Sequence, residues 1–340
     1  MGEADFSHLG FGEMFSDHML SARWSDGAWG APKIEPFGEI ALSPAVSVLH
    51  YGQAVFEGLK AFHRPDGIAL FRPQKFYDRL VASCARLCIP PVEYPLFIEG
   101  IKGLVRLDSA WVPRTRGQAL YIRPFIFASE SFLGVRASLA YRFMIIASPV
   151  GAYYEEGMKP VRLITSTEFT RAAHGGLGFA KTPANYASSL FAAEEAKKKG
   201  YAQVIWLDAA ERKYVEEVGA MNIFFLIGDE LITPPLEGTI LAGVTRDSVI
   251  AMARRWGMKV CERKISMEEL FAASSAGTLK EAFGSGTAAV ISPVGEITHE
   301  GKTITVNGGA TGAVSQKFFD EISGIQYGDR PAPEGWMETV

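Results

Sequence analysis

Along "QALYIRPFIFAS" (118–129) the side chains alternate, so a strand here places Tyr121 and Arg123 on one face and Leu120 and Ile122 on the other. "YRFMIIASPV" (141–150) is apolar almost throughout and predicts a buried strand. Upstream, "GEIALSPAVSVLHYGQAVFEGLKAFHRPDGIALFRP" (38–73) reads as short strands broken by Gly and Pro, with "RPDG" a turn. The period then changes. In "QKFYDRLVASCARL" (74–87), Phe76, Leu80, Cys84 and Leu87 recur at helical spacing. Helices mixed with antiparallel-looking strands give the first part an α+β character.

"GAYYEEGMKPV" (151–161) combines glycines, adjacent acids and a proline, and reads as a connection. Beyond it, "YASSLFAAEEAKKKG" (186–200) predicts one helix, with late lysines at its C-terminal end and Gly200 as the stop. "AQVIWLD" (202–208) predicts a strand, and "NIFFLIGDELITPP" (222–235) a hairpin turning at Gly228-Asp229. "TRDSVIAMARRWG" (245–257) and "ISMEELFAAS" (265–274) predict helices, the second with Ser266 as N-cap and Glu269 three residues on. "TAAVISPV" (287–294) predicts a buried strand. The division expected is a small α+β domain over 1–150, the connection 151–161, and a larger domain over 162–340.

Composition narrows the classes. The 340 residues are 48% hydrophobic, enough for a sizeable core. A net charge of -4 offers no footprint for nucleic acid or an anionic membrane. The longest nearly uncharged run, "FMIIASPVGAYY", is too short to span a bilayer, which takes ~20 residues. Cys84, Cys88 and Cys261 fit no zinc spacing and no disulfide framework, and no metal site is expected. The acidic N-terminus lacks the regions of a signal peptide, so a reducing cytoplasm is the expected setting.

"FAKTPANYASSL" (179–190) holds one lysine, Lys181, with no acid near it until Glu194. A lone lysine over apolar residues is more often a surface residue reaching for solvent. A carboxylate-poor, desolvated setting also suits a Schiff-base lysine, because it eases loss of the proton. Tyr186 follows five residues later and could hydrogen-bond a phenolate oxygen. In "EVGAMNIFF" (217–225), Glu217 precedes an apolar strand and could keep a pyridine nitrogen protonated; a turn carboxylate paired with Arg212 or Lys213 is the plainer alternative. Two segments suit a phosphate: "LAGVTRDS" (241–248), opening a helix at Val244 and Thr245, and the turn in "FGSGTAAV" (283–290). Arg79 borders an apolar helical stripe and wants an anion, either a phosphate or a carboxylate such as Asp78.

The ordered set "HYGQAVFEGLKAF", "LFRPQKFYDRL", "LYIRPF", "GGLGFAKTPANYASSL", "EVGAMNIFF", "TPPLEGTILAGVTRDS" and "FGSGTAAVISPV" resembles the branched-chain amino-acid aminotransferases, fold-type IV enzymes dependent on pyridoxal 5′-phosphate. The resemblance implies a mixed α+β and α/β architecture of two domains with the cofactor between them. It implies that Lys181 carries the cofactor, Tyr186 contacts its phenolate oxygen and Glu217 its ring nitrogen. Arg79, Val244, Thr245 and Thr287 would hold the phosphate, with Arg171 in support. Tyr51, Phe56, Tyr121 and Tyr153 would line the side-chain pocket, and Arg123 would reach a distal carboxylate. Ala220 and Ala288 would offer backbone amides to the α-carboxylate. The implied reaction moves the amino group of L-leucine, L-isoleucine or L-valine to 2-oxoglutarate, in a homodimer. Two departures stand out: Ala220 where relatives often carry Thr, and no CxxC after Thr287, unlike mammalian members. D-amino-acid aminotransferases and aminodeoxychorismate lyase share the fold and remain alternatives, as does a non-catalytic cofactor carrier.

Overall fold

The computed structural model describes residues 6–151 and 158–340. They form two compact units. The first holds 6–151 together with 180–183 and 324–340; the second holds 158–179 and 184–323. The second unit is thus interrupted where an unbroken 162–340 was expected, because the residues around Lys181 and the C-terminal segment pack into the first. Most of the expected connection, 151–161, lies outside the described residues.

In the first unit β1 (His18–Ser25), β2 (Ala28–Trp29) and β3 (Lys33–Pro36) are followed by α1 (Ser47–Tyr51), β4 (Ala54–Phe56), β5 (Leu59–Arg64) and β6 (Gly67–Phe71). The helices α2 (Pro73–Arg86) and α3 (Tyr94–Leu107) precede the long strands β7 (Ala119–Ala128) and β8 (Tyr141–Val150). The strands make one sheet in the order β6-β5-β7-β8-β1-β2, with β3 on β1, β4 on β7, and the C-terminal strand Met337–Thr339 on β6. Pro65-Asp66 turns β5 into β6, as the "RPDG" pattern required. Proline at the first position starts α2, where its missing N–H costs nothing. Phe76, Leu80 and Cys84 are buried along α2, as its periodicity predicts.

Register fixes the faces. Lys60 lies opposite Tyr121, and Tyr121 opposite Ser148. Directly paired residues point to the same side, so Lys60, Tyr121 and Arg123 share one face while Leu59, Leu120 and Ile122 fill the other.

The second unit begins with β9 (Val161–Thr165), α4 (Pro183–Ala187), α5 (Leu190–Lys198), β10 (Gln203–Leu207) and β11 (Val215–Val218). It continues with the hairpin β12 (Asn222–Ile227) and β13 (Glu230–Thr233), then α6 (Val244–Arg255), β14 (Lys259–Glu262) and α7 (Met267–Ser275). It closes with β15 (Leu279–Gly286), β16 (Val290–His299), β17 (Lys302–Thr305) and α8 (Ala313–Tyr327). The sheet order is β11-β10-β9-β16-β15-β12-β13-β14, with β17 on β16. β9 runs parallel to both β10 and β16, and β13 to β14. Ile205, Leu207, Ile223, Phe225, Leu270 and Ile297 lie in its apolar core.

Two expectations are corrected. The single helix over 186–200 is two helices, because Ser188 and Ser189 donate their hydroxyls back to the carbonyls of Asn185 and Tyr186 and compete with helical bonding. The strand expected from 287 begins at Val290; Thr287–Ala289 form the turn between β15 and β16.

Candidate active site

Lys181 is a first-unit residue because its short segment is sewn onto β4 and α2. Its N–H donates to Ser83 Oγ at 2.9 Å, its carbonyl accepts from the Phe56 N–H at 3.0 Å, and the Thr182 hydroxyl donates to the Ala54 carbonyl at 2.8 Å. The half-buried lysine places Nζ 4.9 Å from the centroid of the Phe56 ring. The Arg123 guanidinium lies over the same ring at 4.7 Å and over the Tyr121 ring at 5.2 Å. Arg123 Nη2 donates to the Tyr121 hydroxyl at 3.0 Å, while its buried Nε finds no partner. No acid pairs with Arg123 among the described residues, so the two aromatic rings and the Tyr121 hydroxyl hold this cation in place. Gly58 leaves room for the phenol: a Cβ there would run into the Tyr121 hydroxyl.

Arg79 is buried and paired, but not with its neighbour Asp78. Its Nε and Nη2 donate to the two oxygens of Glu57, each at 2.8 Å, and Glu57 is fully buried. This fork fixes the guanidinium. Ser83 lies one turn further along α2, so one helix positions both Arg79 and the backbone of Lys181. Tyr51, at the end of α1, is exposed and donates its hydroxyl to the Leu133 carbonyl. Tyr153 lies outside the described residues.

In the second unit Glu217 sits buried in β11. Its partner is neither Arg212 nor Lys213. It is Arg171, whose Nε lies 2.7 Å from Oε2 without hydrogen-bond alignment. Oε1 accepts from Asn222 Nδ2 and from the Leu241 N–H, each at 3.2 Å. Arg171 is itself fixed through Nη2, which donates to the carbonyls of Gly178 and Thr239. This surrounding of donors favours an ionised carboxylate. Tyr186 stands half-buried on α4, beside Asn185, whose amide donates to the Leu177 carbonyl.

Gly243 caps α6, and Val244 and Thr245, both buried, open its first turn. A Cβ at Gly243 would strike Asn222 Oδ1, so the tight approach needs glycine. Ser285, in the Gly-Ser-Gly-Thr segment, has a buried hydroxyl with no partner among the described residues. An orphaned hydroxyl beside a turn that ends in the half-buried Thr287 and Ala288 fits an anion such as a phosphate. Ala220 is exposed in the turn after β11.

The sequence reading missed Glu57, Ser83 and Asn222, and also Phe11, whose ring packs edge-on against Tyr121 at 4.9 Å. Glu57 was visible inside "FEGLKAF", but only the fold brings it to Arg79, 22 residues away.

Comparison with known proteins agrees with this geometry. The family profile described as amino-transferase class IV matches residues 54–297. Branched-chain-amino-acid aminotransferase 2 of Bacillus subtilis is 51% identical over 338 residues, covering 99% of this chain and 93% of that protein. Among solved structures, the Escherichia coli branched-chain amino acid aminotransferase superposes with a TM-score of 0.79 at 28% identity, covering 95% of this chain and 99% of that one. The branched-chain amino acid aminotransferase of T.th., complexed with N-(5′-phosphopyridoxyl)-L-glutamate, gives 0.77 at 28% identity, covering 96% and 99%. The chain belongs to the class IV aminotransferases and, within them, to the branched-chain-amino-acid aminotransferases. It is an enzyme of fold type IV, built of two curled sheets with mixed α and β elements. Among the described residues no helix is long and apolar enough to cross a membrane, and no cluster of acids, histidines or cysteines could hold a metal ion.

Proposed function

We propose that this chain carries pyridoxal 5′-phosphate on Lys181 and transfers the amino group of L-leucine, L-isoleucine and L-valine to 2-oxoglutarate, giving branched 2-oxo acids and L-glutamate. The observation that carries the reading is the group of Lys181, Phe56, Tyr121 and Arg123: a lysine held by its backbone, its amine over the same Phe56 ring as a guanidinium that two aromatic rings and a phenol hydroxyl hold and no acid among the described residues claims. The adduct named in the T.th. complex joins this cofactor to glutamate, the product amino acid assigned here. When bound, the cofactor supplies an electron-withdrawing ring that lets the Cα–H bond of an amino acid ionise.

The chain's residues do the rest. Glu217, kept ionised by its donors, would hold a proton on the ring nitrogen, with Arg171 positioning the carboxylate. Tyr186 would donate to the phenolate oxygen. Arg79, the α6 N-terminus at Val244 and Thr245, and Thr287 would hold the phosphate. Once displaced by the substrate's amine, Lys181 Nζ would take the Cα proton as general base and deliver it, as general acid, to the cofactor carbon it had been bonded to. Phe56, Tyr121 and Tyr51 would wall the side-chain pocket with Tyr153, and Arg123 would receive the γ-carboxylate of glutamate. Backbone amides near Ala220 and Ala288 would bind the α-carboxylate.

We also assign the working form as a cytoplasmic homodimer. Leu133, Val135 and Leu139 are 59%, 86% and 68% exposed on one loop, an apolar surface that a second copy of the chain would cover. The three cysteines are free, which suits a reducing compartment.

The test is amino transfer to 2-oxoglutarate from a panel of L- and D-amino acids. Turnover confined to L-leucine, L-isoleucine, L-valine and L-glutamate is expected. Turnover of D-amino acids, or release of pyruvate without an acceptor, would reassign the reaction.

A further inference from the structure

Next to Glu217 on β11, Glu216 lies at a bulge, where the register against β10 shifts between Trp206 and Leu207, and it faces a space that Glu217 does not line. Glu216 lines a cleft of about 440 Å³ formed wholly by the second unit. That volume is ample for a ligand of amino-acid size. Glu216 is 7% exposed; its Oε1 accepts from the Thr239 hydroxyl at 2.5 Å, and its Oε2 is buried with no partner among the described residues. Such an orphaned acceptor wants explanation, since an unmade bond at a buried group is costly. Burial raises the carboxyl's pKa above the ordinary range, against the Thr239 hydroxyl bond and the fields of Arg171 and Lys264.

The other polar groups of the cleft sort cleanly. Asp208 is used up by the fold: its oxygens accept from the N–H groups of Glu211, Lys213 and Tyr214. Lys264 is different. It is more than half exposed, 3.6 Å from the exposed Glu237 and 5.5 Å from the Tyr214 ring centroid, a loose arrangement that a stronger anion can displace. Pro234, Pro235 and Ile240 add apolar wall. The cleft therefore offers a buried acceptor, an accessible ammonium and an apolar side, with His174 and Tyr214 also in its wall.

We propose that this cleft is a second binding site, for an α-amino acid with an apolar side chain, outside the catalytic residues. The ligand's ammonium would complete Glu216, its carboxylate would meet Lys264, and its side chain would rest on Pro234, Pro235 and Ile240. The inference deepens the proposed function, because the ligand is of the substrate class; Glu216 adjoins Glu217, so occupancy is placed to be felt at the carboxylate assigned to the cofactor.

The experiment closes the active site first. Apoenzyme is saturated with the reduced adduct N-(5′-phosphopyridoxyl)-L-leucine, and L-leucine binding is then measured by equilibrium dialysis. If the adduct itself does not bind stoichiometrically, the proposed function fails, and that failure is read before any leucine is added. With the adduct bound, one saturable L-leucine per chain is expected. Glu216→Gln and Lys264→Gln should each weaken it at least tenfold. Lys264 is on the surface, so its variant reports even if the Glu216 variant folds poorly. No saturable leucine on the adduct-filled enzyme, or binding that neither variant changes, would overturn the proposal.

Discussion

Arg123 shows how one side chain can serve two unlike substrates. Its guanidinium lies over Phe56 and Tyr121 and donates to the Tyr121 hydroxyl, with no acid claiming its charge among the described residues. A γ-carboxylate would otherwise be buried unpaired, which is prohibitive, whereas a leucine side chain needs only the aromatic wall. Arg123→Gln keeps polarity and removes the charge. The half-reaction with glutamate is expected to lose ~2–5 kcal/mol of transition-state binding, the cost of unpairing a buried charge, and that with leucine far less. Single-turnover absorbance kinetics with each amino acid separately measures the two. An equal fall in both would make Arg123 a scaffold residue.

At the scale of elements, α8 depends on a strand that is distant in sequence. Glu281 of β15 accepts from the N–H groups of Val314 and Ser315 and from the Ser315 hydroxyl, each at 2.8 Å. A carboxylate at a helix N-terminus satisfies donors that the helix cannot and meets the favourable end of its dipole. Glu281→Ala should cost ~1–2 kcal/mol, the range of a lost cap, seen as a lower urea midpoint at unchanged slope. An unchanged midpoint would remove Glu281 from this role. Nothing in the local sequence marks Glu281 as a cap, whereas the Ser266 cap of α7 was plain, because its partner Glu269 is three residues away. The same contrast runs through the site. The alternation of β7 placed Tyr121 and Arg123 on one face, and α2 followed its apolar period. The pairing of Arg79 with Glu57, of Glu217 with Arg171, and of Lys181 with Ser83 spans 22, 46 and 98 residues or so, and such closures are set by the packed fold rather than by spacing. The break between α4 and α5 was local, yet the late lysines and Gly200 from which a single helix was read say nothing of the serine hydroxyls that cause it.

For the whole molecule, the buried Lys60 makes stability depend on pH. Burial lowers its pKa from 10.5 to about 8. Below that lower value the amine is charged in both folded and unfolded chains, and the folded state bears the full cost of burying the charge. Between about 8 and 10.5 the folded amine is neutral while the unfolded one still holds its proton, so stability from this group rises with pH. The stability of the native chain minus that of Lys60→Met should therefore grow across that window, as read by urea unfolding at its two ends. A difference that stays flat or shrinks would contradict the burial argument.

Lys60 also sets the sharpest trial of the central claim, because it is a buried amine in the unit that holds the half-buried Lys181. Borohydride reduction of the cofactor-loaded enzyme, followed by peptide mapping, fixes the pyridoxyl group to whichever lysine carries it. The account places the label on Lys181 alone, with Lys181→Ala left unlabelled. A label on Lys60, or on any other lysine, would contradict it.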